Sequence, residues 1–136
     1  MATIRCFEEI EAWKTARELT MLVYRLSGTG QFECDFGLKN QMQRAAVSVM
    51  SNIAEGFESA SQAQFIKYLN YAKASAGEVR SQLYVARDLN YISTEDFELS
   101  FDLAEKASAQ LARFIGYLER NANARLVREE IAIYEI

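Results

Sequence analysis

The sequence predicts an all-α protein, an antiparallel four-helix bundle with up-down-up-down connectivity. The 136 residues include no proline, so the residue that most strongly breaks helices is absent. Apolar residues recur at alternating steps of three and four over long segments, which is typical of helices that bury one face. The links between these segments are short, and short links place successive helices side by side in opposite directions.

The first predicted helix lies near residues 7–27 and ends at Gly28 and Gly30. Five of its apolar residues follow the helical spacing: Ala12, Ala16, Leu19, Val23 and Leu26. Residues 28–35 then form the longest irregular stretch that we predict inside the bundle.

The second predicted helix lies near residues 36–57, and Asp35 supplies a favourable N-cap. Gly56 falls where a helix C-cap or a bend is expected. The core positions of this helix are Leu38, Met42, Ala45, Val49 and Ile53.

The third predicted helix lies near residues 61–90. Ser61 with Gln64 three residues later forms a capping-box pattern, and Asn90 marks the end. Its apolar residues alternate in steps of four and three, the pattern of a left-handed bundle: Phe65, Leu69, Ala72, Ala76, Val79, Leu83 and Ala86.

The fourth predicted helix lies near residues 94–120, with Ser93 or Thr94 as its cap. Acidic residues crowd its first turn, where the helix dipole favours negative charge. Its apolar face comprises Phe97, Phe101, Ala104, Ser108, Leu111, Ile115 and Leu118. The link to the third helix, around Tyr91 and Ile92, is short enough to force an antiparallel hairpin.

Two parts of the chain differ in character. We assign residues 1–120 to the bundle and residues 121–136 to a C-terminal tail, where Asn121 and Asn123 interrupt the helical pattern. The tail carries the apolar residues Ile131, Ile133, Tyr134 and Ile136. Because apolar side chains favour burial, we expect the tail to dock on its own subunit or on a neighbour.

The helices carry more apolar side chains than one core-facing side of each helix can accommodate. Four of them on the second and third helices are candidates for an oligomer interface: Met50, Phe57, Tyr68 and Tyr71. A monomeric bundle rarely exposes so much aromatic surface, so this surplus predicts self-association. The alternative is that these side chains cover loops and the tail.

The sequence contains no recognisable arrangement of catalytic residues. Histidine is absent, which removes the commonest general base and metal ligand. Cys6 and Cys34 without a histidine match no zinc pattern. We therefore predict no catalytic residue, no cofactor and no metal, since an enzyme would have to rely on carboxylates, tyrosines or lysines alone.

Sequence features also indicate the compartment. No apolar run approaches the roughly 20 residues that span a bilayer, and Glu8 and Glu9 lie where a signal peptide would be apolar. Two cysteines in such a chain are typical of reduced thiols. The prediction is a cytoplasmic protein with no membrane partner.

The charge is uneven along the chain. A net charge of −4 argues against a generic nucleic-acid binder. Residues 61–92 are nevertheless mildly basic, whereas residues 93–120 are strongly acidic. The candidate phosphate contacts are Arg44, Lys67, Lys73, Arg80 and Arg87. The alternative is that the two helices present complementary charged faces to solvent.

A polar motif is threaded through the second helix between Ser48 and Gly56. Its polar members, taken with one glutamate of the third helix, are Ser51, Asn52, Glu55 and Glu78. A carboxylate near a core is costly unless it is paired, so we predict that these residues form a structural hydrogen-bond network. The alternative is a functional polar pocket near the turn between the second and third helices.

Together with Phe36-Gly37-Leu38, Gln41, Arg44-Ala45-Ala46 and Ser75, this motif resembles the family of the intervening-sequence protein of 23S ribosomal RNA. Accessory proteins of diversity-generating retroelements are related to that family. The resemblance implies a four-helix bundle, assembly as a homopentameric ring, and association with nucleic acid through a basic surface. Phe57-Glu58 departs from it, because the family commonly has arginine or lysine there; this argues against phosphate contacts at the turn.

The sequence thus predicts a non-enzymatic homo-oligomeric bundle whose partners are further copies of itself and RNA or DNA. The alternative is an oligomeric module that binds another protein and no nucleic acid. The acidic balance and Glu58 favour that alternative.

Overall fold

The computed structural model describes residues 4–120, and within that range it contains helices and no strand. A 3₁₀ turn at Phe7–Glu9 precedes the helices α1 (Glu11–Ser27), α2 (Gly30–Cys34), α3 (Phe36–Glu58), α4 (Gln62–Asp88) and α5 (Thr94–Arg120). The all-α prediction is confirmed, and the four predicted helices correspond to α1, α3, α4 and α5. The predictions for the tail, residues 121–136, lie outside the described residues.

Each long helix packs against two others. α1 contacts α3 and α5, and α4 also contacts α3 and α5. The order around the bundle is therefore α1, α3, α4, α5. The side formed by α1 and α5 lies opposite the side formed by α3 and α4.

The core follows the predicted apolar spacing closely in α4 and less closely in α5. All seven predicted core residues of α4 are at most 1% exposed. In α5, Phe101 and Ser108 are only half-buried, whereas Ser100, Ala107 and Phe114 are buried. The prediction for α5 was wrong at these positions because the helix is turned about its axis so that positions 100, 107 and 114, each one residue before a predicted core position, face the core.

Side chains cap three of the helices as predicted. Asp35 Oδ1 accepts a hydrogen bond from the Leu38 N–H at 3.1 Å, and so begins α3. Ser61 Oγ accepts from the Gln64 N–H at 3.2 Å. Ser93, rather than Thr94, caps α5, since its Oγ accepts from the Asp96 N–H at 3.1 Å. Each such cap satisfies a backbone donor that a helix start leaves unpaired.

The end of α4 is a Schellman motif at Asn90. This residue has a φ of +60°, which asparagine tolerates better than most residues. The Tyr91 N–H donates to the Ala86 carbonyl and the Asn90 N–H donates to the Arg87 carbonyl, both at 2.9 Å. The motif directs Tyr91 back towards the bundle, where its ring stacks on Phe32 with centroids 5.4 Å apart.

Two local expectations were wrong. Residues 28–35 are not wholly irregular, because α2 forms there and places the fully buried Phe32 in the core. Gly56 is not the C-cap of α3, which continues to Glu58 and is capped by Ser59. A Cβ on Gly56 would lie 2.9 Å from both Phe65 Cδ1 and Tyr68 Cβ. The glycine is therefore required for the close approach of α3 and α4.

Candidate interaction surface

The outer face of α3 carries the polar motif. Arg44, Ser48, Ser51 and Glu55 follow one another at steps of four, three and four, so they share the side of the helix that faces away from the core. They border an open depression of about 460 Å³, which Tyr24 of α1 and Val47 and Asn52 of α3 also line. The motif thus lies on the surface of the bundle, in contact with solvent.

A chain of hydrogen bonds joins α3 to α4 beneath this face. Asn52 Nδ2 donates to the Ser48 carbonyl and to Ser48 Oγ, both at 2.9 Å. Ser48 Oγ lies 2.9 Å from Ser75 Oγ, and either hydroxyl can donate. Ser75 is buried on α4, so this bond satisfies a polar group that would be costly to leave unpaired. These three residues tie the two helices together at mid-length.

The other members of the predicted polar network lie apart from this chain. Ser51, Glu55 and Glu78 are exposed. The argument that the two carboxylates need partners because they lie near the core was wrong: each is adjacent in sequence to a core-facing stretch, but successive residues of a helix point about 100° apart. The structure brings Ser51 and Glu55 together at the depression, and it places Glu78 elsewhere, on α4.

The four interface candidates differ in accessibility. Phe57 is only 7% exposed and its ring meets that of Phe65 edge-on at 6.1 Å, so it belongs to the core; its assignment to an oligomer interface was wrong. Met50 is half-buried and packs on the same core cluster. Tyr68 is half-buried, whereas Tyr71 is 48% exposed, and their rings are 6.0 Å apart. Tyr71 therefore presents the most accessible surface of the four.

The five basic candidates do not form one patch. Lys73, Arg80 and Arg87 recur every seven residues and so share one stripe of α4, with about 10.5 Å between successive positions. This stripe faces α5, because the Arg87 guanidinium lies 4.7 Å from the Phe97 ring centroid.

The remaining contacts limit how many of these cations are accessible. Arg87 also pairs with Asp88 at 3.2 Å, and Nε of Arg80 is buried. Lys67 lies over the Tyr71 ring at 5.8 Å, away from the stripe. Arg44 lines the α3 depression instead.

Sites for metals and membranes were also sought in residues 4–120. This range contains no group of three or more histidine, cysteine, aspartate or glutamate residues able to hold a metal ion. None of its helices combines the length and apolar character needed to cross a membrane.

Two residues of the hydrogen-bonded chain, Ser48 and Ser75, were not predicted as part of the polar network. They are 27 positions apart, and only the pairing of α3 with α4 brings their hydroxyls together. The signal in the sequence was weak: each is a small polar residue beside the apolar stripe of its helix.

Fold and surface together define a small helical-bundle protein whose exposed polar motif lies on the outer face of α3. The family of the 23S rRNA-intervening sequence protein matches residues 8–113, and the chain belongs to this family. A crystal structure of a protein of unknown function from the S23 ribosomal protein family, from Bacteroides thetaiotaomicron, has the same fold, with a TM-score of 0.71 and 24% sequence identity. The match covers 76% of this chain and 97% of that one. No curated protein matches the chain.

Proposed function

We propose that this protein is a non-enzymatic helical bundle that binds further copies of itself through the outer face of α3 and α4. The observation that supports this most directly is the exposure of Tyr24 and Val47, which line the depression beside the polar motif, and of Tyr71 on the neighbouring helix α4. Aromatic side chains mixed with a few polar groups are typical of the centre of protein interfaces.

The exposed members of the motif add to this argument. Ser51 and Glu55 project from α3 into solvent, so the packing of the bundle does not require their identities. They are nevertheless among the residues on which the family resemblance depends. A role at an interface with another molecule gives these side chains a reason to be present.

The resemblance further suggests the form of the assembly, a homopentameric ring. A cyclic ring needs a heterologous interface, in which one face of a subunit meets a different face of the next. The α3–α4 face supplies one half of such a contact in this proposal.

Light scattering on the full chain tests self-association. We expect a mass well above the 15.5 kDa of one chain at micromolar concentration. The substitution Tyr71→Glu places a charge on the proposed interface and should shift the mass to that of the monomer. The control is Leu89→Glu, because Leu89 is 48% exposed and lies at the end of α4, about 27 Å along the helix from Tyr71, so it should leave the mass unchanged. A mass near 15.5 kDa for the unmodified chain would exclude the proposal.

A second candidate function is association with RNA. Its support is the stripe of Lys73, Arg80 and Arg87 on α4, together with the description of the family as a 23S rRNA-intervening sequence protein. Lys73 is the exposed cation of this stripe that is best able to contact a phosphate of a nucleic-acid backbone, since Arg87 pairs with Asp88 and Nε of Arg80 is buried. The net charge of −4 limits the expected affinity to the micromolar range or weaker at physiological salt.

Filter binding with structured RNA at low and high salt tests this candidate. Lys73→Ala should weaken binding to all sequences alike and reduce the salt slope by about one unit, since one phosphate contact is lost. Lys106→Ala is the control, because Lys106 is exposed on α5 outside the stripe. If the assembled protein retains no RNA at low salt, the second candidate function is excluded. The proposal of self-association does not depend on this result.

A further inference from the structure

An open apolar groove lies between α1 and α5, on the side of the bundle opposite the proposed interface. It has a volume of about 740 Å³. Its apolar lining, called the floor below, consists of Met21 and Leu22 of α1 and of Leu99 and Leu103 of α5. Met21 is 66% exposed and Leu99 is 52% exposed. Scattered apolar side chains are ordinary on a surface, but a contiguous lined groove is typical of a binding site for another apolar segment.

The rim of the groove is basic on the α1 side. Lys14, Arg17 and Arg25 line it, and Glu18 is the one acidic side chain among its eight lining residues. An occupant with apolar side chains and negative charge would therefore match both the floor and the rim.

The chain itself contains a segment of this composition. Residues 121–136 follow α5 directly. Residues 121–128 carry Arg125 and Arg128, whereas residues 129–136 have three glutamates and no basic residue. The apolar residues of this last part are Ile131, Ile133, Tyr134 and Ile136. We propose that residues 129–136 dock in the α1–α5 groove of their own subunit, with the glutamates against the basic rim, and that residues 121–128 connect them to α5.

The distances allow this docking. Leu103 lies 17 residues before Arg120 on α5, which corresponds to about 25 Å along the helix. A segment of 16 residues reaches up to about 53 Å when extended, or about 24 Å as a helix. Because α1 runs antiparallel to α5, the Lys14 end of the groove lies nearest to Arg120. The glutamates can therefore reach the rim without any change in the bundle.

Zero-length cross-linking of the full chain by a carbodiimide tests the proposal. The reagent joins a lysine amine to a carboxylate in contact with it, and Lys14 is the one lysine among the residues that line the groove. Lys14 also lies 3.3 Å from Glu11, but both side chains are about half exposed and such pairs are weak, so the amine stays available. We expect mass spectrometry to find Lys14 joined to Glu129, Glu130 or Glu135.

Two variants control the result. Met21→Glu should lower the yield of this cross-link at least fivefold, because it adds negative charge to the groove floor. Phe36→Glu should leave the yield unchanged, because Phe36 is 67% exposed and lies at the start of α3, outside the groove.

Isotopic labelling decides between one subunit and two. A mixture of ¹⁴N and ¹⁵N chains should give cross-linked peptides of a single isotope. Mixed-isotope peptides would show that the groove binds the segment of a neighbouring copy, and would overturn the proposal. Absence of the Lys14 product, or equal yields at Lys14 and at Lys73 on α4, would overturn it as well.

Discussion

The α3–α4 and α1–α5 sides of the bundle lie opposite each other, and the two helix pairs differ in how they pack. On the α3–α4 side, Gly56 and the hydroxyls of Ser48 and Ser75 let the helices meet closely. On the α1–α5 side, the long side chains Met21 and Leu99 stand exposed beside a groove. Small residues between α3 and α4 thus allow close packing, whereas the exposed apolar side chains of α1 and α5 border a groove with room for a third segment.

The largest loss of stability should come from adding a side chain at Gly56, where α3 and α4 approach each other closely. Gly56→Ala adds a Cβ 2.9 Å from Phe65 Cδ1 and Tyr68 Cβ, so the helices must move apart. We expect a loss of about 1–3 kcal/mol in the free energy of unfolding, measured by urea denaturation. Gly37→Ala is the matched control. Its Cβ would lie 3.7 Å from the nearest atom, so it should be neutral or stabilise by up to about 1 kcal/mol. Equal effects at the two glycines would contradict the account of Gly56.

A smaller loss of stability is expected when the hydrogen bonds that link Asn52, Ser48 and Ser75 are disturbed. Asn52→Ala removes the donor to Ser48, while the bond between Ser48 and Ser75 is kept. The expected loss is about 1 kcal/mol of unfolding free energy, seen as a lower Tm. Ser51→Ala, one position away and exposed, should change it by less than about 0.5 kcal/mol. An unchanged Tm for Asn52→Ala, combined with loss of self-association, would instead assign Asn52 to the interface.

The smallest effect concerns the end of the bundle where α3 begins and α4 ends. The Tyr91 hydroxyl donates to Asp35 Oδ2 at 3.0 Å. This hydrogen bond, then burial and the Asp35 charge, raises the pKa of Tyr91 above its ordinary value. A raised pKa in the folded state means that the bond stabilises the fold while the hydroxyl is protonated, and that this stability is lost as pH rises through the raised pKa.

We therefore expect Tyr91→Phe to be less stable than the unmodified chain at neutral pH. The difference should shrink at about pH 11, above the ordinary pKa of tyrosine. Urea denaturation of both proteins at the two pH values measures it. Tyr24→Phe serves as the control, since Tyr24 is an exposed tyrosine of α1. No difference in stability at either pH would show that Tyr91 acts through its ring stacking on Phe32 alone, because phenylalanine keeps the ring and loses only the hydroxyl.

Local sequence rules predicted the parts of this fold that depend on local interactions. The caps at Asp35, Ser61 and Ser93 depend on side chains within three residues of the donors they satisfy. The buried residues of α4 follow directly from the regular spacing of one helix. These features need no knowledge of what the helices pack against.

The remaining features depend on which helices meet. The need for Gly56 arises from Phe65 and Tyr68 on the neighbouring helix, so its position near a helix end was misleading. The exposure of Glu55 and the hydrogen bond of Ser48 depend in the same way on the orientation of α3 against α4. The sequence could indicate that the motif was unusual. The face of the bundle on which the motif lies could be identified only from the packing of the helices.

The pairing of α1 with α5 has a consequence for how the chain folds. Successive long helices pack against each other along the chain, whereas α1 and α5 are its two most distant long helices. Joining them closes a loop of more than 60 residues, and the entropy cost of closure rises with loop length. Helices α3, α4 and α5 can form their contacts through short turns before this closure. We expect the contact between α1 and α5 to form last in folding and to open first in native-state hydrogen exchange, with amides of α1 and α5 exchanging faster than those of α3 and α4.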